Sequence, residues 1–491
     1  MTVLLNRDQQ RERFLLNQKL TTAPRLRPVL DPEFVPPSLW TRAYRSAIQA
    51  EGGGSKLAIA LERSDGSVSV HRSEVLRHQG ANVALNHRYV ERLLKFLLWQ
   101  KGGYRITIGG DPALAVYLQS VYAPGSTRAF DHQFLGEQVY GRPMTIESTT
   151  FDAVPVEKET AAPLGHHLDG FRIGFDLGAS DRKCAAVADG HLVFSEEVAW
   201  SPSTQADPQY HFDGINDSLR RAAAQLPRVD AIGGSAAGVY VGNEVRVGSL
   251  YRSVPPRLFD QRIRRLFFDL QAAWGGIPFE VVNDGEVTAL AGSMALNDSA
   301  VLGIAMGSSL AAGFVTPGGT LTTWLNELAF VPVDYRDGAP VDEWSGDAGV
   351  GAQYFSQQAV GRLLLPAAGI HLPKDMPLPA KLERVQELLA NGDSRARQIY
   401  ETIGAYLGYN IATYANFYEF RNLLVLGRVM TGEGGNLILG VARKVLQVEF
   451  PELAEGIRFH IPDEQEKRHG QAIAAASLPR LSVREPTNAI S

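Results

Sequence analysis

The chain has 491 residues, 45% hydrophobic and 21% charged, the balance of an ordinary globular protein long enough for two or three domains. A net charge of −5 leaves no basic footprint for nucleic acid, and no apolar run reaches the ~18 residues a membrane helix needs. The lone Cys184 excludes an internal disulfide and a multi-cysteine zinc site. The charged N-terminus, MTVLLNRDQQRERFLLNQKL, is not a secretory signal, so a cytoplasmic protein is expected.

Residues 1 to about 50 read as a helical or irregular arm broken by prolines, and EGGGS (51–55) as a flexible joint. KLAIALERSDGSVSVHRSEV predicts two strands around a Ser-Asp-Gly turn. RYVERLLKFLLWQ has helical spacing and is ended by Gly102-Gly103. YRITIGG is a strand, and DPALAVYLQSVY a helix capped by Asp111 with Pro112 in its first turn. Residues 1–165 are thus expected to form an α/β extension of unknown role, which could extend a neighbouring sheet or make a dimer surface. VPVEKETAAPLGHHLDG reads as a linker, with the His166-His167 pair solvated.

From Phe171 onward strands and helices alternate, as in an α/β fold. FRIGFDLGA, KCAAVADG and HLVFSEEVAW predict consecutive strands, GINDSLRRAAAQL a helix, and VDAIGGSAAGVYV a strand running into a small-residue turn. RIRRLFFDLQAAWGG predicts a helix, PFEVVNDG a strand ending on Asn283-Asp284, and EVTALAGSMAL a helix directly after it. SAVLGIAMGSSLAAGFVTPGG reads as strand, Gly-Ser turn, strand. SRARQIYETIGAYLGYNIATYANFY is a long helix, and RNLLVLGRVMTGEGGNLILGVARKVL a strand, glycine loop and helix.

Three glycine loops stand out: GASD (178–181), GSS (307–309) and GEGG (432–435). Small residues let backbone N–H groups and hydroxyls approach phosphate oxygens, although each loop alone is more often an ordinary turn. Asp176 would hold Mg²⁺, directly or through water, because a carboxylate repels phosphate. Asn283-Asp284 ends a core strand, where α/β sheets place ligands; a helix N-cap is the competing role. In phosphoryl transfer such an aspartate takes the proton of the attacking hydroxyl. Trp274, Trp324 and Trp344 could stack on a ligand ring, though core packing is the commoner fate. Cys184 reads as a small buried hydrophobe.

In IGFDLGAS, VVNDGEVTALAG, VLGIAMGSSLAAGFV and NLLVLGRVMTGEGG, in that order, the chain from about Phe171 resembles the ROK family of sugar kinases and sugar-responsive repressors. The resemblance implies an actin-like ATPase (ribonuclease H-like) fold with a small lobe, 171–296, and a large lobe, 297–491. It implies ATP and Mg²⁺ as reactants, a hexose or hexose derivative as acceptor, and the homodimer this family commonly forms. It makes Asp284 the general base, with Asn283, Glu327, Gln353 and Ser235 on the sugar side. Asp176, Gly178, Ser180, Gly307, Ser308 and Ser309 fall on the phosphates, and Gly427, Gly432, Gly434 and Gly435 on the adenosine side.

The departures from the family are also specific. The second phosphate loop reads Gly-Ser-Ser where the family has more glycine, and Asp181 puts a charge beside the first. NELAF keeps Glu327 but places Phe330 where the family has a histidine, and EWSGDAGVGAQYF replaces its cysteine cluster, so no zinc is expected. Residues 1–165 show no winged helix-turn-helix pattern, which argues against a DNA-binding repressor. The reading is an ATP-dependent sugar kinase. The alternative is a catalytically inactive sugar- or nucleotide-binding regulator of the same fold. Gln353 and Phe330 also admit an amino or acidic sugar.

Overall fold

A computed structural model describes residues 20–481 apart from 21, 160–163 and 463. Most of the expected arm's first 21 residues, and four positions of the expected linker, therefore lie outside the described residues. The N-terminal segment begins with helix α1 (Pro37–Ala50), which has Pro37 at its first position. Strands β1 (Ser55–Glu62) and β2 (Val68–Val75) pair antiparallel. Helix α2 (Asn82–Lys101) stops where Gly102 takes φ +77°. Strand β3 (Arg105–Gly109) follows, then α3 (Pro112–Val121), whose Asp111 cap accepts from the Ala113 N–H. Strand β4 (Thr145–Thr149), which the sequence pattern did not reveal, completes a sheet ordered β2-β1-β3-β4. This sheet is separate and extends no other.

The second sheet has the order β11-β8-β5-β6-β7. Its strands are β5 (Phe171–Leu177), β6 (Asp181–Ala188), β7 (His191–Ala199), β8 (Ala231–Ala236) and β11 (Phe279–Asn283), with the small hairpin β9 (Val239–Val241) and β10 (Glu244–Val247) beside it. Helix α4 (Pro208–Ala223) begins earlier than expected because Asp207 caps it and Pro208 opens it. Helix α5 (Leu266–Ala273) begins later than expected: the Arg264 N–H closes on the Phe259 carbonyl at 2.9 Å, a wider π-type turn.

Helix α6 (Asp284–Leu296) leaves the end of β11 and lies on the third sheet, ordered β13-β12-β14-β15. Those strands are β12 (Val301–Met306), β13 (Leu310–Val315), β14 (Asn422–Leu426) and β15 (Arg458–His460). Glycines allow the contact: a Cβ on Gly285 would come within 2.3 Å of the Ala312 carbonyl oxygen, and one on Gly313 within 2.1 Å of the Gly285 oxygen. Helices α7 (Ser394–Tyr414) and α8 (Glu433–Glu449) pack together behind this sheet. Helix α9 (Glu464–Ala476) crosses back to β5, β6 and β8.

One hydrophobic cluster runs without a break from the N-terminal segment into the third sheet and its helices, through Trp40, Trp99, Phe330, Tyr354 and Tyr406. A second, built on Phe175, Trp200, Ile232 and Phe267, belongs to the second sheet. Where the N-terminal segment meets residues 342–347, a fully buried Lys95 bonds Asp131 at 2.8 Å and Asp347 at 2.6 Å. Arg128 pairs with Asp347 and, at 2.5 Å, with Glu91. Buried charges persist only when paired in this way.

Candidate active site

The site begins with strand register. Asp176 on β5 stands opposite Ser235 on β8, and Ser235 stands opposite Val282 on β11. The next step along β11 is Asn283, so Asp176 and the Asn283-Asp284 pair meet at the carboxyl ends of parallel strands. Buried Ser235 donates its hydroxyl to Asp176 Oδ1 at 2.6 Å. Asp176 Oδ2 faces the Lys183 ammonium at 4.0 Å, and Lys183 lies 3.5 Å from Asp181. Burial holds the Asp176 carboxyl above its usual range, against the opposing pull of Ser235 and Lys183.

Asn283, not Asp284, caps α6. Its Oδ1 accepts from the Gly285 N–H at 2.7 Å while its Nδ2 donates to the Gly238 carbonyl at 2.7 Å. An amide keeps one more donor and one more lone pair beyond these bonds. Half-buried Asp284 also accepts from Gly285, at 3.0 Å. Burial first, and then the Asp176 charge, push the Asp284 carboxyl up to about 6.

Glu327 approaches from the other side, on the loop before the turn Leu328–Phe330. Burial, with Asp284 and Glu286 nearby, pushes its carboxyl up to about 8. Glu286 was not singled out in the sequence. It is buried on α6, accepts from Asn326 Nδ2, and is pushed by burial up to about 8. Asn326 in turn accepts from the Tyr418 hydroxyl at 2.9 Å. Tyr240 also lies beside Asp284, its hydroxyl donating to the Ala237 carbonyl at 3.1 Å. These partners were missed because they come together only in the fold: Asn326 is 40 positions from Glu286 and 92 from Tyr418. The acidic doublet in NDGE was the available signal.

The first glycine turn is closed on itself. The Gly178 N–H donates to the Asp181 carbonyl at 2.9 Å, the exposed Ser180 hydroxyl bonds the Asp181 carboxylate at 2.9 Å, and Trp200 Nε1 donates to the Gly178 carbonyl at 2.9 Å. The second turn likewise has Gly307 N–H on the Ser309 carbonyl at 2.9 Å, with Ser308 and Ser309 exposed. The Gln357 N–H holds the Gly307 carbonyl at 2.9 Å, and Gln353 Nε2 donates to Gln358 in the same helical turn, at 2.5 Å. Gln353 therefore sits near the second loop. Gly427 follows β14 against the Met306 backbone, and Gly432 is open. Gly434 and Gly435 are buried in the first turn of α8, against Tyr400 and Met430.

Phe330 packs in an aromatic cluster, its ring 4.5 Å from Trp99 and 5.1 Å from Trp344. Residues 331–355 contain no cysteine or histidine, so the zinc of the family does not fit here. Among the described residues no group of three or more His, Cys, Asp or Glu could hold a metal, and no helix is long and apolar enough to cross a membrane.

No protein-family model matches the chain, and no curated protein matches it. Solved structures do. A ROK family transcriptional regulator, a homolog of the E. coli MLC protein, is 19% identical with a TM-score of 0.51, covering 63% of this chain and 79% of its own. A ROK hexokinase from Thermus thermophilus is 17% identical, with a TM-score of 0.48 over 62% of this chain and 96% of its own. A ROK family glucokinase from Streptomyces griseus, in complex with glucose and AMPPNP, is 21% identical, with a TM-score of 0.44 over 62% and 98%. Over about three-fifths of its length, therefore, the chain has the fold of this ROK structure.

Proposed function

We propose that the chain is a cytoplasmic, ATP-dependent sugar kinase that transfers the γ-phosphoryl group to a hydroxyl of a hexose or hexose derivative. The observation that carries this reading is the meeting of Asp284, Asp176 and Glu327 at one seam, with Asp284 raised to about 6. A carboxyl in that range is ionised at neutral pH and basic enough to take a proton. Asp284 accepts the proton of the acceptor hydroxyl as its oxygen attacks phosphorus and the bond to the leaving diphosphate breaks. Asn283 orients the neighbouring hydroxyl with its remaining donor. Glu327, protonated at neutral pH, donates to another hydroxyl, and Gln353 can bond a further one.

Asp176, with one oxygen on Ser235 and the other facing Lys183, fits a cation held through water. When bound, Mg²⁺ neutralises charge on the phosphates. Gly178, Ser180, Gly307, Ser308 and Ser309 would contact the phosphates, and Gly427 and Gly432 the adenosine.

A sugar-binding regulator without catalysis is the second reading. It is favoured by the two glycine turns, whose Gly178 and Gly307 N–H groups are already spent on Asp181 and Ser309. A coupled ADP-release assay with Mg-ATP and a panel of hexoses and amino sugars separates the two. Sugar-dependent release is expected, falling about 10³-fold or more in Asp284→Asn with sugar binding kept. No release with any sugar, alongside calorimetric sugar binding that ignores Mg-ATP, gives the regulator reading.

A further inference from the structure

The carbonyls in the last turn of a helix have no partner inside it. In α2 two of them are taken by the loop that carries Glu327. The Glu327 N–H donates to the Trp99 carbonyl and the Asn326 N–H to the Gln100 carbonyl, both at 2.9 Å. Side chains repeat the link. The Lys101 ammonium stands 3.0 Å from the centre of the Trp324 ring, and Trp324 Nε1 donates to Glu159 at 3.1 Å. Trp99 packs on Phe330, and its own position is fixed by a 2.9 Å bond from Nε1 to buried Asp131. Asn326 passes this position on to Glu286, two residues beyond Asp284 on α6.

We propose that the N-terminal segment is a working part of the acceptor site: the end of α2, locked by Lys101 on Trp324, sets where Asn326 and Glu327 stand. Lys101 is a positioning residue, since it reaches the acceptor only through that loop. The cation makes the lock directional. A ring face attracts an ammonium by its quadrupole, most strongly where water is excluded, and Lys101 is mostly buried. The activity half of the proposal rests on the kinase reading; the positional half does not.

The full-length variants Lys101→Met and Lys101→Arg test it. Amide hydrogen exchange resolved at Asn326 and Glu327 is expected to be about tenfold faster in Lys101→Met, the factor corresponding to most of a desolvated cation–π contact, and near wild type in Lys101→Arg. Unchanged exchange at those two amides in Lys101→Met overturns the proposal, whatever the protein does with sugar. In the ADP-release assay Lys101→Met is expected to raise the acceptor KM about tenfold, leaving kcat and the KM for ATP within twofold. A lowered unfolding temperature with an unchanged acceptor KM marks a merely structural lysine and overturns it too. If the wild type turns over no sugar, the kinase reading fails and the exchange result alone decides the positioning.

Discussion

The N-terminal segment and the second sheet are both α/β units, but they join the third sheet in different ways. The N-terminal segment keeps only a small cluster of its own, around Ala58, Ala60, Val68 and Val154, and otherwise shares the large core it enters; its junction carries Lys95, Arg128, Asp131 and Asp347, all buried and paired. The second sheet keeps a cluster of its own and meets the rest chiefly through α6 and α9. A unit that looks appended in sequence is thus welded in place, while the unit bearing Asp176 and Asn283 packs around a core of its own.

The strongest way to break this comparison is Lys95→Met. It removes the ammonium that Asp131 and Asp347 share and leaves buried carboxylates underpaired, at a cost of about 3–5 kcal/mol. Denaturant unfolding is expected to show that loss. Native-state exchange should show β1–β4 and β12–β14 losing protection together while β5–β8 keep theirs. Loss confined to β1–β4 would mean the weld is not one cooperative unit.

The seam itself is sharpened by Glu286→Gln. The folded carboxyl stays protonated to about 8, whereas an unfolded glutamate ionises near 4.3. The folded state therefore binds the extra proton, and stability, complete below the unfolded pKa, is lost as pH rises through the folded value, by at most about 1.4 kcal/mol per pH unit. Glu286→Gln is expected to flatten the decline of unfolding temperature between about pH 5 and pH 8. An equally steep decline in the variant would assign it to other groups.

The smallest effect is expected at the attachment of α9. A Cβ on Gly174 would fall 1.8 Å from the Ala472 carbonyl oxygen, so Gly174→Ala must shift backbone, costing about 1–3 kcal/mol. Exchange in β5 and α9 should rise, with β1–β4 unaffected. Equal loosening of the N-terminal sheet would erase the distinction between the two regions.

The parts of the candidate site were legible in the sequence because each is local. Asp176 on a strand-turn, Asn283-Asp284 at a strand end and Glu327 in NELAF each sit in a short recognisable stretch, and strand register brings the first two to one place. The odd Asp181 found its answer in Lys183, two positions along the same strand. What was not legible depends on distance along the chain. Phe330 and the cysteine-free 342–355 stretch looked like losses; Trp99, Phe130, Lys95 and Arg128, some 200 to 250 positions earlier, occupy that space instead. Asn326 and Tyr418 carry no local pattern that separates them from ordinary core polar residues, and Glu286 has only its place in NDGE.

The return of α9 bears on how the protein is made. Arg172, fully buried at the start of β5, donates to the Pro479 carbonyl at 2.6 Å, a bond between residues 307 positions apart. Glycines at 174 and 233 are pressed against the backbone of Ala472 and Ala475. During synthesis, β5 and β8 leave the ribosome about 12 seconds or more before their covering helix, at ~5–20 residues per second. The nascent second sheet must spend that interval with one face uncovered.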